Sequence, residues 1–360
     1  MRLASAAILF FTLSLAAQDA VMTIQEYDPK STLVVPEHPR PRAKYPFIDI
    51  HGHQDDLDAN AAAKLIGEMD SINLQVMVNL SGGSGDAFRR RDGALRGRYA
   101  KRFVTFANVD FKKIDEPNFG ANAARQLEED VRHGAAGLKV FKDLGMFVRD
   151  AAGNRVHTDD PRLDPIWEKA AELHIPVLIH TGEPASFWKP VDKHNERYME
   201  LTELPGRRRS DPKFASFETT MEEQHNLFRK HPRTTFIAAH LGWSGHDLAA
   251  LGKLLDELPN MNVDIAAVLY ELGRQPRAAH AFLVKYQDRV LMGKDTWSAA
   301  EFPTYFRVLE TEDEYFDYYR RRHAFWKMYG LGLPDTVLKK IYYKNALRLV
   351  PAIDKTGFPD

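Results

Sequence analysis

From Tyr45 onward the chain alternates between two hydrophobic rhythms. Short apolar, β-branched runs occupy 47–51, 74–80, 103–109, 136–141, 176–181, 235–240, 262–268 and 289–293, the near-continuous pattern of strands buried on both faces. Between them apolar positions recur at helical spacing. Ala62, Leu65, Ile66 and Met69 form one stripe, and Ile166, Trp167, Ala170 and Leu173 a second. Leu248, Leu251, Leu254, Leu255 and Leu258 form a third, and Val337, Leu338, Ile341 and Tyr342 a fourth. Asp164-Pro165 reads as a cap followed by a proline in the first turn. Strands alternating with helices across residues 47–350 predict an α/β chain folded as a (β/α)8 TIM barrel. An open doubly wound sheet would set a glycine-rich phosphate turn after its first strand, whereas this chain has His51-Gly52-His53 there.

The flanks differ from this core. Residues 1–17 read as a signal peptide: Arg2 precedes an apolar run from Leu3 to Leu15, and Ser14 and Ala16 supply small residues for cleavage. The run falls short of the roughly 20 residues that span a bilayer. The expectation is therefore export to the periplasm or medium, with no membrane association after cleavage. Residues 18–46, with Pro29, Pro36, Pro39, Pro41 and Pro46, predict an extended N-terminal arm, and 351–360 a C-terminal tail. Two connections, after the fifth strand (from Thr181) and after the eighth (from Asp295), are too long for simple turns and read as lids.

Composition narrows the chemistry. With 49 basic and 50 acidic residues among 360, the net charge is −1, which argues against a nucleic-acid partner. Cysteine is absent, so disulfides, thiol catalysis and thiolate metal sites are excluded. Fourteen histidines remain for metal chemistry.

In a strand of period two, His51 and His53 point to the same side, toward the barrel axis. An H-x-H arises by chance in about half of chains with this many histidines, so the weight rests on the other strand ends. His180 closes the fifth strand, His240 the sixth and Asp295 the eighth. In a barrel these ends meet at one mouth. Three imidazoles and a carboxylate around one divalent cation, with a position left for water, describe a catalytic site. Imidazole suits zinc and the carboxylate adds manganese; zinc is the first expectation and manganese the second.

These segments, together with His180-Thr181-Gly182, Ala239-His240-Leu241-Gly242, Gly293-Lys294-Asp295 and the closing stretch from Ile341 to Leu349, resemble the amidohydrolase superfamily, in its amidohydrolase-related, single-metal branch. The resemblance implies that His51, His53 and His180 ligate the metal. It implies that Asp295 is both ligand and proton acceptor, and that His240 stands just off the metal. Relatives with two metals bridge them by a carbamylated lysine of the fourth strand, so the resemblance leaves room for a second metal on Lys139 or Lys142. Two activities follow: hydrolysis of a lactone, ester or amide of a small molecule, or nonoxidative decarboxylation of an aromatic or unsaturated acid. Assembly as a homo-oligomer is compatible with either.

Other residues are nominated for substrate binding. Trp188, Trp243 and Trp297 follow catalytic strand ends, where an aromatic wall would lie. Asn79, ending the second strand, is a candidate donor. Lys139 would contact a substrate carboxylate, carry a carbamate, or pair with an acid. Asp49 shares the inward parity of His51 and reads as an orienting group. The arginine triplets 89–91, 207–209 and 320–322 read as solvated faces, though the second lies in a lid where it would meet an anionic substrate.

Overall fold

A computed structural model describes residues 22–359 apart from 25, 56 and 324. The signal peptide expected over 1–17 lies outside the described residues. The chain divides into a short N-terminal unit, Met1–Thr32, and a large one, Leu33–Asp360. In the first, the described residues are mostly exposed, and Glu26 accepts from the backbone and hydroxyl of Thr23.

The large unit is an eight-stranded parallel barrel. The strands are Phe47–Gly52, Leu74–Asn79, Phe103–Thr105 continued by Ala107–Asn108, Leu138–Val140, Val177–Ile179, Phe236–Ala238, Met261–Asp264 and Val290–Leu291. Every neighbouring pair is parallel. The ring closes where Ile50 N–H donates to Met292 O at 3.0 Å and Asp295 N–H to His51 O at 2.7 Å. The strand expected over 103–109 is broken at Phe106. Its first piece pairs with the second strand and its last with the fourth. The buried Phe106 ring turns onto Gly137, where an added Cβ would stand 2.5 Å from the ring.

The helical stripes lie where the spacing put them, in Ala59–Ile72, Asp164–Glu172, Leu248–Glu257 and, across a π turn, Asp335–Leu349. Asp164 is itself the first helical residue rather than the cap. Its carboxylate instead pairs with Lys230 at 2.6 Å and His231 at 3.0 Å. Among the described residues no helix is long and apolar enough to cross a membrane.

The end of the N-terminal arm belongs to the large unit. His38 donates its backbone N–H to Asp313 at 2.7 Å, and Ala43 N–H bonds Ile72 O at 3.2 Å. The two long connections carry structure of their own. The first contains the helix Tyr198–Glu203, the second the helix Phe302–Glu310 and a ribbon of Phe316–Asp317 with Lys327–Met328. They are tied together at buried Glu200, which pairs with Arg197 at 2.6 Å, with Arg207, and with His323 of the other connection at 3.4 Å. The Arg197 guanidinium lies 4.7 Å from the Tyr270 ring and 5.6 Å from Trp326.

Because the Phe106 ring leaves no room beside Gly137, Gly137→Ala should destabilise the protein by about 1–3 kcal/mol. A second change, Phe106→Leu, should restore part of that loss. Urea unfolding of the single and double variants checks both; equal stability of Gly137→Ala and the parent would contradict the packing.

Candidate metal centre

The mouth of the barrel gathers charged and polar side chains that are otherwise rare in a core. His51, Lys139, His240, Asp264 and Asp49 are each at most 1% exposed. A buried polar group costs stability unless it is satisfied, so the partners of each reveal what the site is built for.

Asp264 organises the centre. Its Oδ2 accepts from His51 Nδ1 at 2.8 Å, and its Oδ1 accepts the backbone N–H of His240 at 2.9 Å and of Ala266 at 3.0 Å. An ionised carboxylate only accepts, so the proton of neutral His51 sits on Nδ1 and its Nε2 lone pair faces the mouth. Asp49 supports the same strand from below, accepting the N–H of His51 and of Lys294 at 3.0 Å each. Burial pushes the Asp49 carboxyl up to about 7, against those hydrogen bonds.

A second tautomer chain runs across the fifth and sixth strands. His240 Nδ1 lies 2.7 Å from Ala266 O, which can only accept, so Nδ1 carries the proton. His240 Nε2 then accepts from His180 Nδ1 at 3.3 Å. That leaves His180 Nε2 as a lone pair, and this atom is buried without a hydrogen-bond partner. The backbone here is held away from its ordinary minima. His240, Leu241, Gly242 and Trp243 run at φ 54–59°, Ala267 at 56° and Asp295 at 77°. Such left-handed residues are costly outside glycine and persist where surrounding bonds over-determine them. Asp264 Oδ1 supplies such a bond to His240 and another to Ala266, the residue before Ala267.

Asp295 completes the group. Its Oδ1 lies 3.6 Å from His53 Nε2 and 4.0 Å from His51 Nε2. Burial raises its pKa, but His51, His240, His53 and Lys139 together outweigh that and hold it at about 2. Burial, reinforced by Lys139, lowers His53 to about 4 and holds His51 well below its ordinary value; His180 is lowered likewise by burial and His240. Near pH 7 the site thus offers neutral imidazoles beside an ionised carboxylate, the protonation states a divalent cation requires.

Donor atoms of His51, His53 and Asp295 all lie within 4.8 Å of one another, and with the orphaned lone pair of His180 Nε2 they fit a divalent metal. His180 itself stands outside that compact trio, beside His240 with ring centroids 4.4 Å apart. A second trio, His51, His240 and Asp264, is equally close. Both of its carboxylate oxygens are already spent on three N–H groups, which marks it as scaffolding.

Lys139 points into the mouth, its Nζ 3.2 Å from His51 Nε2 and 5.5 Å from the Phe141 ring. Burial lowers its pKa to about 8, opposed by Asp264 and Asp295. Lys142 is engaged elsewhere, 2.7 Å from Glu183. Of the tryptophans, only Trp243 joins the centre, 4.7 Å from the His240 ring and 5.7 Å from His180. Trp188 instead donates to Ala215 O at 2.7 Å and packs on Phe217, and Trp297 donates to Glu68 at 2.8 Å and packs on Phe302. Both brace connections rather than wall a pocket. Asn79 likewise serves the backbone, its Oδ1 accepting from Gln54 N–H at 2.9 Å and Ser81 N–H at 3.1 Å. Beside His240 and Trp243 opens a cavity of about 110 Å³, bordered by Lys189, His246 and Glu271.

The family model for amidohydrolases (Amidohydro_2) matches residues 48–352, and the protein belongs to that family. It is a metal-dependent enzyme of the amidohydrolase class. No curated protein matches its sequence. Solved structures share the fold at low identity. A putative amidohydrolase from Staphylococcus aureus has 16% identity and TM-score 0.55, covering 85% of this chain and 99% of that one. 2,6-Dihydroxybenzoate decarboxylase from Rhizobium has 17% and 0.51, with 82% and 88% covered. Dihydroxybenzoic acid decarboxylase from Polaromonas, with bound manganese and 2-nitroresorcinol, has 15% and 0.53, with 85% and 97% covered.

If Asp264 sets the His51 tautomer, Asp264→Asn should weaken binding of zinc or manganese by about 10–100-fold while leaving the far-ultraviolet circular dichroism intact. Competition against a chromogenic chelator measures this. Unaltered affinity in a folded variant would remove Asp264 from the account.

Proposed function

We propose that the protein is a hydrolase using metal-activated water on a lactone, ester or amide of a small organic molecule. The observation that carries this reading is Asp295, an ionised carboxylate within 4.0 Å of two neutral imidazoles and 30% exposed at the mouth. A divalent cation on His51, His53, His180 and Asp295, zinc first and manganese second, would supply Lewis acidity and make hydroxide available near pH 7.

The chain's own residues then divide the work. Asp295 takes the proton of the attacking water and returns it to the leaving group. His240 has Nδ1 committed to Ala266 O, so it can donate toward a developing oxyanion only by gaining a proton on Nε2. The indole N–H of Trp243 is buried with no hydrogen-bond partner and offers a second donor beside it. Export of the enzyme, from the signal-like residues 1–17, belongs to the same reading.

Decarboxylation is the second reading, and one observation favours it. The buried ammonium of Lys139, 3.2 Å from His51, could hold the carboxylate of an acid against the metal. Two of the similar folds act on dihydroxybenzoates.

Removal of metal should abolish turnover and added zinc or manganese should restore it. Asp295→Asn should lower kcat by about 10²–10⁴-fold, the usual worth of a positioned proton acceptor. Turnover in ¹⁸O-water should place one labelled oxygen in the acid product of a lactone, ester or amide. Release of carbon dioxide from hydroxybenzoate-type acids, with no hydrolysis of the first group, would establish the second reading instead.

A further inference from the structure

Two of the three arginine triplets meet in space. Arg207, from the connection after the fifth strand, and Arg320, Arg321 and Arg322, from that after the eighth, line one cavity of about 450 Å³. Thr296 forms part of the same wall, and it directly follows Asp295. The cavity is thus one residue along the chain from the carboxylate of the metal centre, although no side chain of that centre lines it.

The cavity's carboxylates are engaged away from Arg320. Glu301 also borders the cavity, but its carboxylate is taken by the buried Lys294 ammonium at 2.6 Å. Arg207 in turn pairs with Glu200. Exposed Glu203 sits at the edge and makes no ion pair with Arg320. Arg320 is the notable group. It is half-buried, and its guanidinium makes no hydrogen bond or ion pair with any described residue. Its surroundings are phenols, with the Tyr319 ring centroid 5.7 Å away and Tyr305 and Tyr318 close by. Phenols are neutral at pH 7, and the one carboxylate that acts on the guanidinium, Glu301, makes no ion pair with it and is held by Lys294. A shielded cation whose nearest counter-charge is already shared with another ammonium is costly. The planar fork of an arginine also matches a carboxylate or phosphate in two bonds.

We propose that this cavity is an anion subsite, in which Arg320, backed by Arg321 and Arg322, binds a distal carboxylate or phosphate of the substrate whose reacting carbonyl faces Asp295. The substrate half of this statement rests on the hydrolytic reading, whereas the binding of an oxyanion at Arg320 does not. The substrate class is then a lactone, ester or amide bearing a second, anionic group. The arginines that looked like solvated faces become the element that selects it.

Calorimetric titration of the full-length, metal-loaded protein with glutarate and with inorganic phosphate at low ionic strength tests the binding. Saturable binding is expected, weakened about 10–100-fold in Arg320→Ala, as for loss of hydrogen bonds to a charged group. Arg320→Lys should retain part of it, and Arg90→Ala, a surface control, all of it. Should Arg320→Ala lose its thermal transition, Arg322→Ala carries the test, with about 3–10-fold weakening expected from an outlying charge. Titrations that do not change in the folded variants, or no saturable binding by the parent, would overturn the subsite. The source of the anion is read from paired aryl esters with and without a distal carboxylate. The ratio of their kcat/KM values should fall about 10–100-fold in Arg320→Ala. Phosphate binding lost in the variant with an unchanged ratio would overturn the substrate assignment and leave a site for free anions. Turnover of neither ester would count against the hydrolytic reading, and the titrations would still decide the subsite.

Discussion

The carboxylate of Asp264 is the constraint on which the mouth of this barrel depends. One oxygen holds the imidazole of His51, and the other holds the backbone N–H groups of His240 and Ala266. Three strands are thereby joined at one buried group. The same bonds perform a chemical task, because they assign the Nδ1 proton of His51 and leave its Nε2 free to face a cation. They also stabilise a run of left-handed residues that would otherwise relax. Burial raises the pKa of Asp264, opposed chiefly by His240, the N–H bonds and Lys139. The carboxylate and the nearby Lys139 ammonium are thus mutually dependent, and removing either leaves a buried charge without its counterpart.

A consequence is that the site resists internal collapse. Burial holds His51, His53 and His180 neutral, and Asp295, lowered to about 2, stays ionised beside them and the Lys139 ammonium. Among the described residues Lys139 supplies the one ammonium in reach of His51 Nε2. Two of the remaining lone pairs, on His51 and His180, are partnered only by that ammonium or by nothing at all. An arrangement of lone pairs without protein donors is costly in itself and becomes favourable when a cation binds.

Much of this was legible in the sequence, for physical reasons. Barrel strands are buried on both faces, so their apolar runs stand out, and parity sends His51 and His53 to one side. His240 and Asp295 closed such runs and come to the mouth. His180 closed another but stands beside His240, outside the tight trio. Asp264 went unnominated because the apolar run 262–268 seemed to continue past it, placing it mid-strand. The strand in fact ends at Asp264, and a buried acid at the C-terminal end of an interior strand was the available signal. The tryptophans failed differently. Position after a strand end does not determine where a ring points: Trp188 found a backbone acceptor in its own connection, and Trp297 the carboxylate of Glu68 in the helix Ala59–Ile72. Asn79 gives its Oδ1 to the turn it begins, while its Nδ2 donor is buried without a hydrogen-bond partner. Phe106 broke the third strand because Gly137 left a space that only a large ring fills. The partners of the arginine triplets lie in different connections, more than a hundred residues apart, and no local pattern could have joined them.

The most direct test of the central claim is the anomalous diffraction of crystals soaked in manganese. The account predicts one strong peak at roughly 2.0–2.3 Å from His51 Nε2, with His53 and Asp295 as further ligands and the Lys139 ammonium displaced from His51. Asp264 should keep its bond to His51 Nδ1. A peak ligated by Asp264, or none at the barrel mouth, would contradict it.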